Sequence, residues 1–136
     1  LGADLLELKL AEEKKRRGFA KYVWGGRQVF SRVKPALKPY TVKPEEYDLI
    51  ITGGPVWAGS PAPALLAFLS ETNITGKKAA VFCCHGGGKG KAVPKLKALL
   101  AGNTIIGEID FKNPLKRGAE TWASKAADWA KRLAAV

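Results

Sequence analysis

The chain has 136 residues, 46% of them apolar and 26% charged, with a formal net charge of +11. That length makes one domain, residues 1–136, with a core of its own, and the composition excludes a disordered chain. No apolar run approaches the length of a membrane span, and no signal-peptide pattern opens the sequence.

In chain order, strand-like and helix-like segments alternate, which predicts an α/β sheet with helices on its faces. ADLLELKL (3–10) alternates apolar and polar residues as a strand near a sheet edge does. Phe19, Val23, Phe30 and Val33 give 18–33 a helical reading, with a bend at Gly25-Gly26. A proline-studded connector leads to DLIITGG (48–54), a short apolar run of the buried parallel type. Pro61 and Pro63 suit the first turn of a helix whose apolar face is Ala64, Leu65, Phe68 and Leu69. KKAAVFCC (77–84) is the next buried strand. Ala92, Val93, Leu96, Leu99 and Leu100 form a helical stripe that Gly102 closes. NTIIGEIDF (103–111) is a further strand, and Trp122, Ala126, Trp129 and Leu133 make the buried face of a last helix.

The basic residues run from Lys9 to Arg132 without forming one block, and EEKKRR (12–17) opens with two acids that offset it. The charge therefore reads as a solubilising surface or a face for an acidic protein, ahead of nucleic acid. Cys83 and Cys84 are adjacent and cannot close a loop by a disulfide, which predicts a reduced, cytoplasmic chain. The sequence starts at Leu1 and holds no methionine, so a fragment, a processed form and an incomplete record all stay open.

Two loops follow the carboxyl ends of predicted strands, where open parallel sheets bind ligands. GGPVWAGSPAP (53–63) carries Trp57, and HGGGKGK (85–91) offers nearly bare backbone. The second is no P-loop: counting back from Gly90-Lys91 puts His85 at the first glycine position and Ala92 at the hydroxyl position. It is no dinucleotide loop either, since Gly86-x-Gly88 is followed by Lys91 where glycine is required. One histidine and two neighbouring cysteines make no metal site, and no nucleophile–base constellation is visible.

YDLIITGGPVWAGSPAPALLAFL followed by GKKAAVFCCHGGGKGKAVPKLKALL resembles the flavodoxin-like FMN-binding proteins, near the flavodoxins and quinone reductases, over essentially all of 1–136. The resemblance implies an open parallel sheet of order 2-1-3-4-5 with helices on both faces. It implies FMN as cofactor, with Pro55, Val56, Trp57 and Ala58 on one side of the ring. Cys84, His85, Gly86, Gly87 and Gly88 would line its pyrimidine edge through backbone N–H groups. Glycines there bring main chain close to a flat ring, where N–H bonds tune its redox potential.

It further implies electron transfer or flavin-dependent reduction, with a redox protein or small-molecule acceptor as partner. No membrane is expected, and a homodimer stays open. The rival is a non-catalytic module that keeps the fold, has lost the phosphate site and holds an acidic protein or nucleic acid. The Ser/Thr-rich phosphate turn of such proteins is absent, and LGADLLELKL matches their second strand. The first strand, phosphate loop and first helix are therefore expected to be missing.

A missing central strand leaves a gap of roughly 10 Å. Buried unpaired backbone groups along it would cost about 1–3 kcal/mol each. More chain, a second chain, or closure of 3–10 directly onto 48–53 would remove that cost. Among the other residues, Trp24, Trp122 and Trp129 read as packing. At least one of Cys83 and Cys84 reads as buried and inert, with a redox role open for Cys84. Lys89 and Lys91 read as steering groups for an anion or as solvated.

Overall fold

The computed structural model describes residues 1–11, 35–116 and 118–136. The helix expected over 18–33, and Trp24 with it, lies outside these residues.

Three parallel strands carry the fold: β1 (Leu49–Trp57), β3 (Lys78–His85) and β4 (Thr104–Lys112). A two-residue strand β2 (Ser60–Pro61) turns back antiparallel on β1, so the order is β2-β1-β3-β4. Helices α1 (Pro63–Glu71), α2 (Ala92–Leu99) and α3 (Ala119–Ala134) fill the crossovers and the C-terminus. The expected α/β architecture is present, an open and mostly parallel sheet with helices on both faces.

β3 shows why. It is buried on both sides, so its residues divide by pleat instead of alternating apolar with polar. Ala79, Val81 and Cys83 face Leu65, Phe68 and Leu69 of α1 and Val93 and Leu96 of α2. Ala80 and Phe82 face Trp129 and Leu133 of α3. The strand could not be so apolar if either face were open. Pro63 begins α1, where its missing N–H costs nothing, and Gly102 (φ 88°) takes the left-handed turn after α2.

Three expectations need correction. Residues 3–10 form no strand: their one ladder contact is the antiparallel bridge Leu10–Leu37, while Leu6 and Leu8 lie against the core. Alternation predicts a strand there, but among the described residues the backbone of 36–38 pairs only with 9–11, and nothing pairs with 3–8. Closure of 3–10 onto β1 does not occur. Among the described residues β1 meets only β2 on that side, at Val56 and Trp57, and Leu49–Pro55 present an open edge. Between this edge and residues 4–8 runs a groove of about 380 Å³, lined by Leu6, Leu49, Ile51, Gly54, Leu65 and Phe68. Lastly, Pro61 belongs to β2 and not to the helix; proline is tolerated in such an edge strand.

The last helix buries Trp129 and Leu133, as its periodicity predicts. Trp122 is only half-buried, edge-on to Phe111 at 5.7 Å between centroids, with the Lys125 ammonium 4.9 Å above its ring. Among the described residues no helix is long and apolar enough to cross a membrane.

Candidate functional site

β1 runs three residues further than its apolar stretch predicts, so Pro55, Val56 and Trp57 are strand and not loop. Ala58 (φ 49°) and Gly59 (φ 71°) then make a two-residue turn with both central residues at positive φ, the type I′ geometry that suits strand twist. Ala58 holds this conformation without the freedom of glycine, at a cost of about 1 kcal/mol. Val56 is packed against the core, Pro55 is exposed and lies level with Cys84 on β3, and Trp57 is half-buried opposite Ser60.

The second loop leaves β3 at His85. Gly86, Gly87 and Gly88 are exposed, and a side chain at Gly87 or Gly88 would meet nothing within 4 Å. The loop then returns onto the hairpin. A Cβ on Gly90 would stand 2.6 Å from the Gly59 Cα, the Lys91 N–H donates to the Gly59 carbonyl at 2.8 Å, and Lys95 Nζ donates to Ser60 Oγ at 2.9 Å. Thirty residues apart in sequence, the tryptophan hairpin and the glycine-rich loop share one rim at the carboxyl ends of β1 and β3.

A third loop joins them. Asn113 (φ 48°) donates its N–H to the His85 carbonyl at 2.8 Å, and its side-chain oxygen lies 3.3 Å from where a Gly86 Cβ would be. Asp110 on β4 ties the glycine loop at both ends: it accepts from His85 Nε2–H at 3.0 Å and from Lys89 Nζ at 3.0 Å. The His85 side chain is 8% exposed and Asp110 is 36% exposed. The His85 bond, followed by that of Lys89, holds the Asp110 carboxyl below its ordinary range, and Asp110 in turn raises Lys89. A carboxylate accepts here, so Nε2 carries the proton, and among the described residues the buried Nδ1 has no partner.

His85 therefore turns inward to Asp110, on the opposite pleat from Cys84. Of the candidate ring-lining residues, Trp57, Ala58, Gly86, Gly87 and Gly88 stand at the rim, while Val56 and the His85 ring point into the protein. Asp110 and Asn113 were not visible as site residues. The one signal for Asp110 was an acid close to the carboxyl end of a largely apolar strand.

Both thiols are free, and burial raises both. For Cys83 the Asp110 charge adds to the rise. Neither is set up as a reactive thiolate. Among the described residues no group of three His, Cys, Asp or Glu side chains gathers as a metal site.

Asp110→Asn keeps one acceptor oxygen but loses the second and the charge. It is expected to loosen the glycine loop and to cost about 1 kcal/mol of stability at neutral pH, with the charged bonds discounted for exposure. A carboxylate depressed in the folded state stabilises above its unfolded pKa of about 3.9 and ceases to as pH falls through the lower folded value. Urea midpoints of wild type and variant should thus differ at pH 7 and converge once the pH falls below the lowered folded-state value of Asp110. A gap that persists unchanged in acid would assign the loss to shape and not to charge.

No family model matches the chain, and no curated protein matches it. Solved structures do. A flavoprotein in complex with FMN from Lactobacillus acidophilus NCFM superposes with a TM-score of 0.62 at 22% identity, covering 85% of this chain and 77% of that one. Two proteins described as flavoproteins follow. That of Bacteroides uniformis ATCC 8492 gives 0.59 at 18% identity, over 74% of this chain and 66% of its own. That of Bacteroides eggerthii DSM 20697 gives 0.57 at 18%, over 76% and 67%. The chain shares the fold of these flavoproteins. At such identities the likeness speaks for architecture alone, and the rim must carry any claim about a ligand.

Proposed function

We propose that this chain binds a flavin of the FMN type at the joined rim and passes electrons through it. The observation that carries the reading is the contact between Gly59 and Gly90–Lys91, which places Trp57 and the glycine triplet at one end of one sheet. The rim fits the ring of such a group. Trp57 offers an aromatic surface, and Gly86, Gly87 and Gly88 present main chain with no Cβ to hold a flat ligand away. A bound flavin would supply the capacity to accept and release electrons; Trp57 would cover the ring, and Gly86, Gly87 and Gly88 would bring backbone N–H groups to its edge. That the chain works in a reducing cytoplasm rests on two free adjacent thiols.

The phosphate is not provided for among the described residues, since no Ser/Thr-rich turn follows a strand there. The open edge of β1 supplies the second part of the reading. We infer that one more parallel strand, ending in the phosphate-binding turn, seats in the groove between residues 4–8 and β1. Mass spectrometry of the protein isolated from cells tests this. A denatured mass above 14.6 kDa assigns the strand to a longer chain, and 14.6 kDa with a larger native mass assigns it to a second chain. A value of 14.6 kDa in both states overturns the inference.

The binding test is a fluorescence titration of FMN and of riboflavin. Quenching and a yellow protein are expected, and Trp57→Ala should weaken binding about tenfold, in line with loss of one stacked aromatic surface. Riboflavin binding as tightly as FMN would locate all affinity in the ring rim. A colourless protein that leaves FMN emission unquenched would instead favour the non-catalytic module, which keeps this fold and lacks the phosphate turn.

A further inference from the structure

Charge is unevenly placed over the described residues. Fourteen lysines and arginines stand there against ten acids. Five of the fourteen are gathered at the carboxyl rim: Lys89 and Lys91 on the glycine loop, Lys95 in the first turn of α2, Lys112 at the end of β4 and Lys116 in the loop beyond it. The acids there are Asp110 and, in the first turn of α3, Glu120. Among the other described residues nine basic side chains stand against eight acids, so three of the four surplus positive charges of the described residues belong to this one end.

The rim lysines are anchored to the loops of the candidate site. Lys89 bonds Asp110, Lys95 bonds Ser60, and the Lys91 N–H bonds Gly59. Lys112 pairs in register with His85, and the Lys116 N–H bonds Asn113. Within the described residues the ammonium groups of Lys91, Lys112 and Lys116 form no ion pair, and all three side chains are exposed.

We infer that the rim is a docking surface for an acidic protein, with Lys91, Lys112 and Lys116 meeting its carboxylates. The inference deepens the flavin reading, on which it rests for what the partner does; whether the partner docks is independent of any flavin. The positive rim would draw in a partner of opposite sign and speed encounter in a salt-dependent way. Lysine suits a transient contact: its ammonium is a hydrated point charge, and exposed pairs are individually weak. Nucleic acid fits less well. A duplex calls for an elongated track of phosphate contacts and for arginine at base edges. Here the lysines stand on the glycine loop, in the first turn of α2 and at the end of β4 with the loop beyond it, and one acidic surface laid across that rim would meet them together.

The test compares two charge-reversed chains of equal net charge. One carries Lys91→Glu, Lys112→Glu and Lys116→Glu; the other carries Lys38→Glu, Lys131→Glu and Arg132→Glu, exposed positions away from the rim. Circular dichroism confirms that both are folded, with the single Lys112→Glu and Lys116→Glu variants in reserve. Binding of poly-L-glutamate and of a DNA duplex is measured at about 50 mM salt without flavin, where surface charge is weakly screened. The expected result is a poly-glutamate dissociation constant raised about tenfold by the rim variant and under about threefold by the other. Equal loss in both would overturn the docking surface in favour of diffuse charge attraction. DNA binding tighter than poly-glutamate would overturn it in favour of nucleic acid. A colourless chain that still shows the rim-specific loss would remove the flavin and keep the dock.

Discussion

Gly90→Ala is expected to pry the tryptophan hairpin off the glycine-rich loop. The added methyl would sit 2.6 Å from the Gly59 Cα and 2.7 Å from its carbonyl oxygen, and both are backbone. No flexible side chain can yield, so one of the two loops must move. Gly90 also has φ 50°, a conformation that costs an L residue about 1 kcal/mol before any clash. With overpacking of about 1–3 kcal/mol added, the Lys91–Gly59 bond should break and the rim should open. Stability should fall by about 2–4 kcal/mol, and FMN affinity by more than about tenfold, since a ring held between two loops needs both at their spacing. Gly88→Ala is the control for stability: its Cβ meets open space and its φ is not positive, so it should shift stability by no more than about 0.5 kcal/mol. If Gly88→Ala lowers stability as much as Gly90→Ala, the approach of the two loops is not what holds the rim together.

Gly53→Ala should act on the sheet itself. Gly53 lies opposite Phe82 on β3, and its Cβ would meet the Phe82 carbonyl oxygen, with the Phe82 ring carbons at 2.6 Å. The aromatic ring lies over a strand position that has no side chain, so two parallel strands and a ring occupy space that no other residue leaves free. Displacing them disturbs the face on which Phe82 meets Trp129 and Leu133. A loss of about 3 kcal/mol or more is expected, a large share of a small domain's total. Its neighbour makes the comparison. Gly54 would place a Cβ in open space within the groove, and Gly54→Ala should change stability by no more than about 0.5 kcal/mol. Thermal unfolding followed by far-UV circular dichroism reads both. Equal midpoints for the two variants would mean that Phe82 is free to swing aside.

The two glycines carry a wider lesson. Written as Gly53-Gly54 they look like the start of a loop, because glycine is depleted in strands. In the fold both belong to β1, one to admit a ring and the other beside a groove. Sequence could not tell them apart, since the difference lies in Phe82, twenty-nine positions away. Lys78–His85 shows the opposite case. Its unbroken apolar run can be buried on both sides only inside a parallel sheet, and the strand was legible to within one residue. Local alternation misled at 3–10, where among the described residues a strand pattern finds only the single bridge Leu10–Leu37.

Local information was sufficient for what depends on neighbours in the chain. The apolar runs of 48–54, 77–84 and 103–111 and the stripes of 64–69, 92–100 and 122–133 specified an α/β sheet with helices on its faces, because burial of those faces has no other layered solution. The two glycine-bearing loops at strand ends were legible for the same reason, as punctuation between elements. The contacts that make a site of them were decided only in three dimensions. Gly59 against Gly90, Asp110 between His85 and Lys89, and the lysines gathered at one rim join residues far apart in sequence. No periodicity records such meetings, which depend on strand register and loop return. The open edge of β1 was decided there too, since whether a backbone has a partner is a property of the sheet and not of the strand.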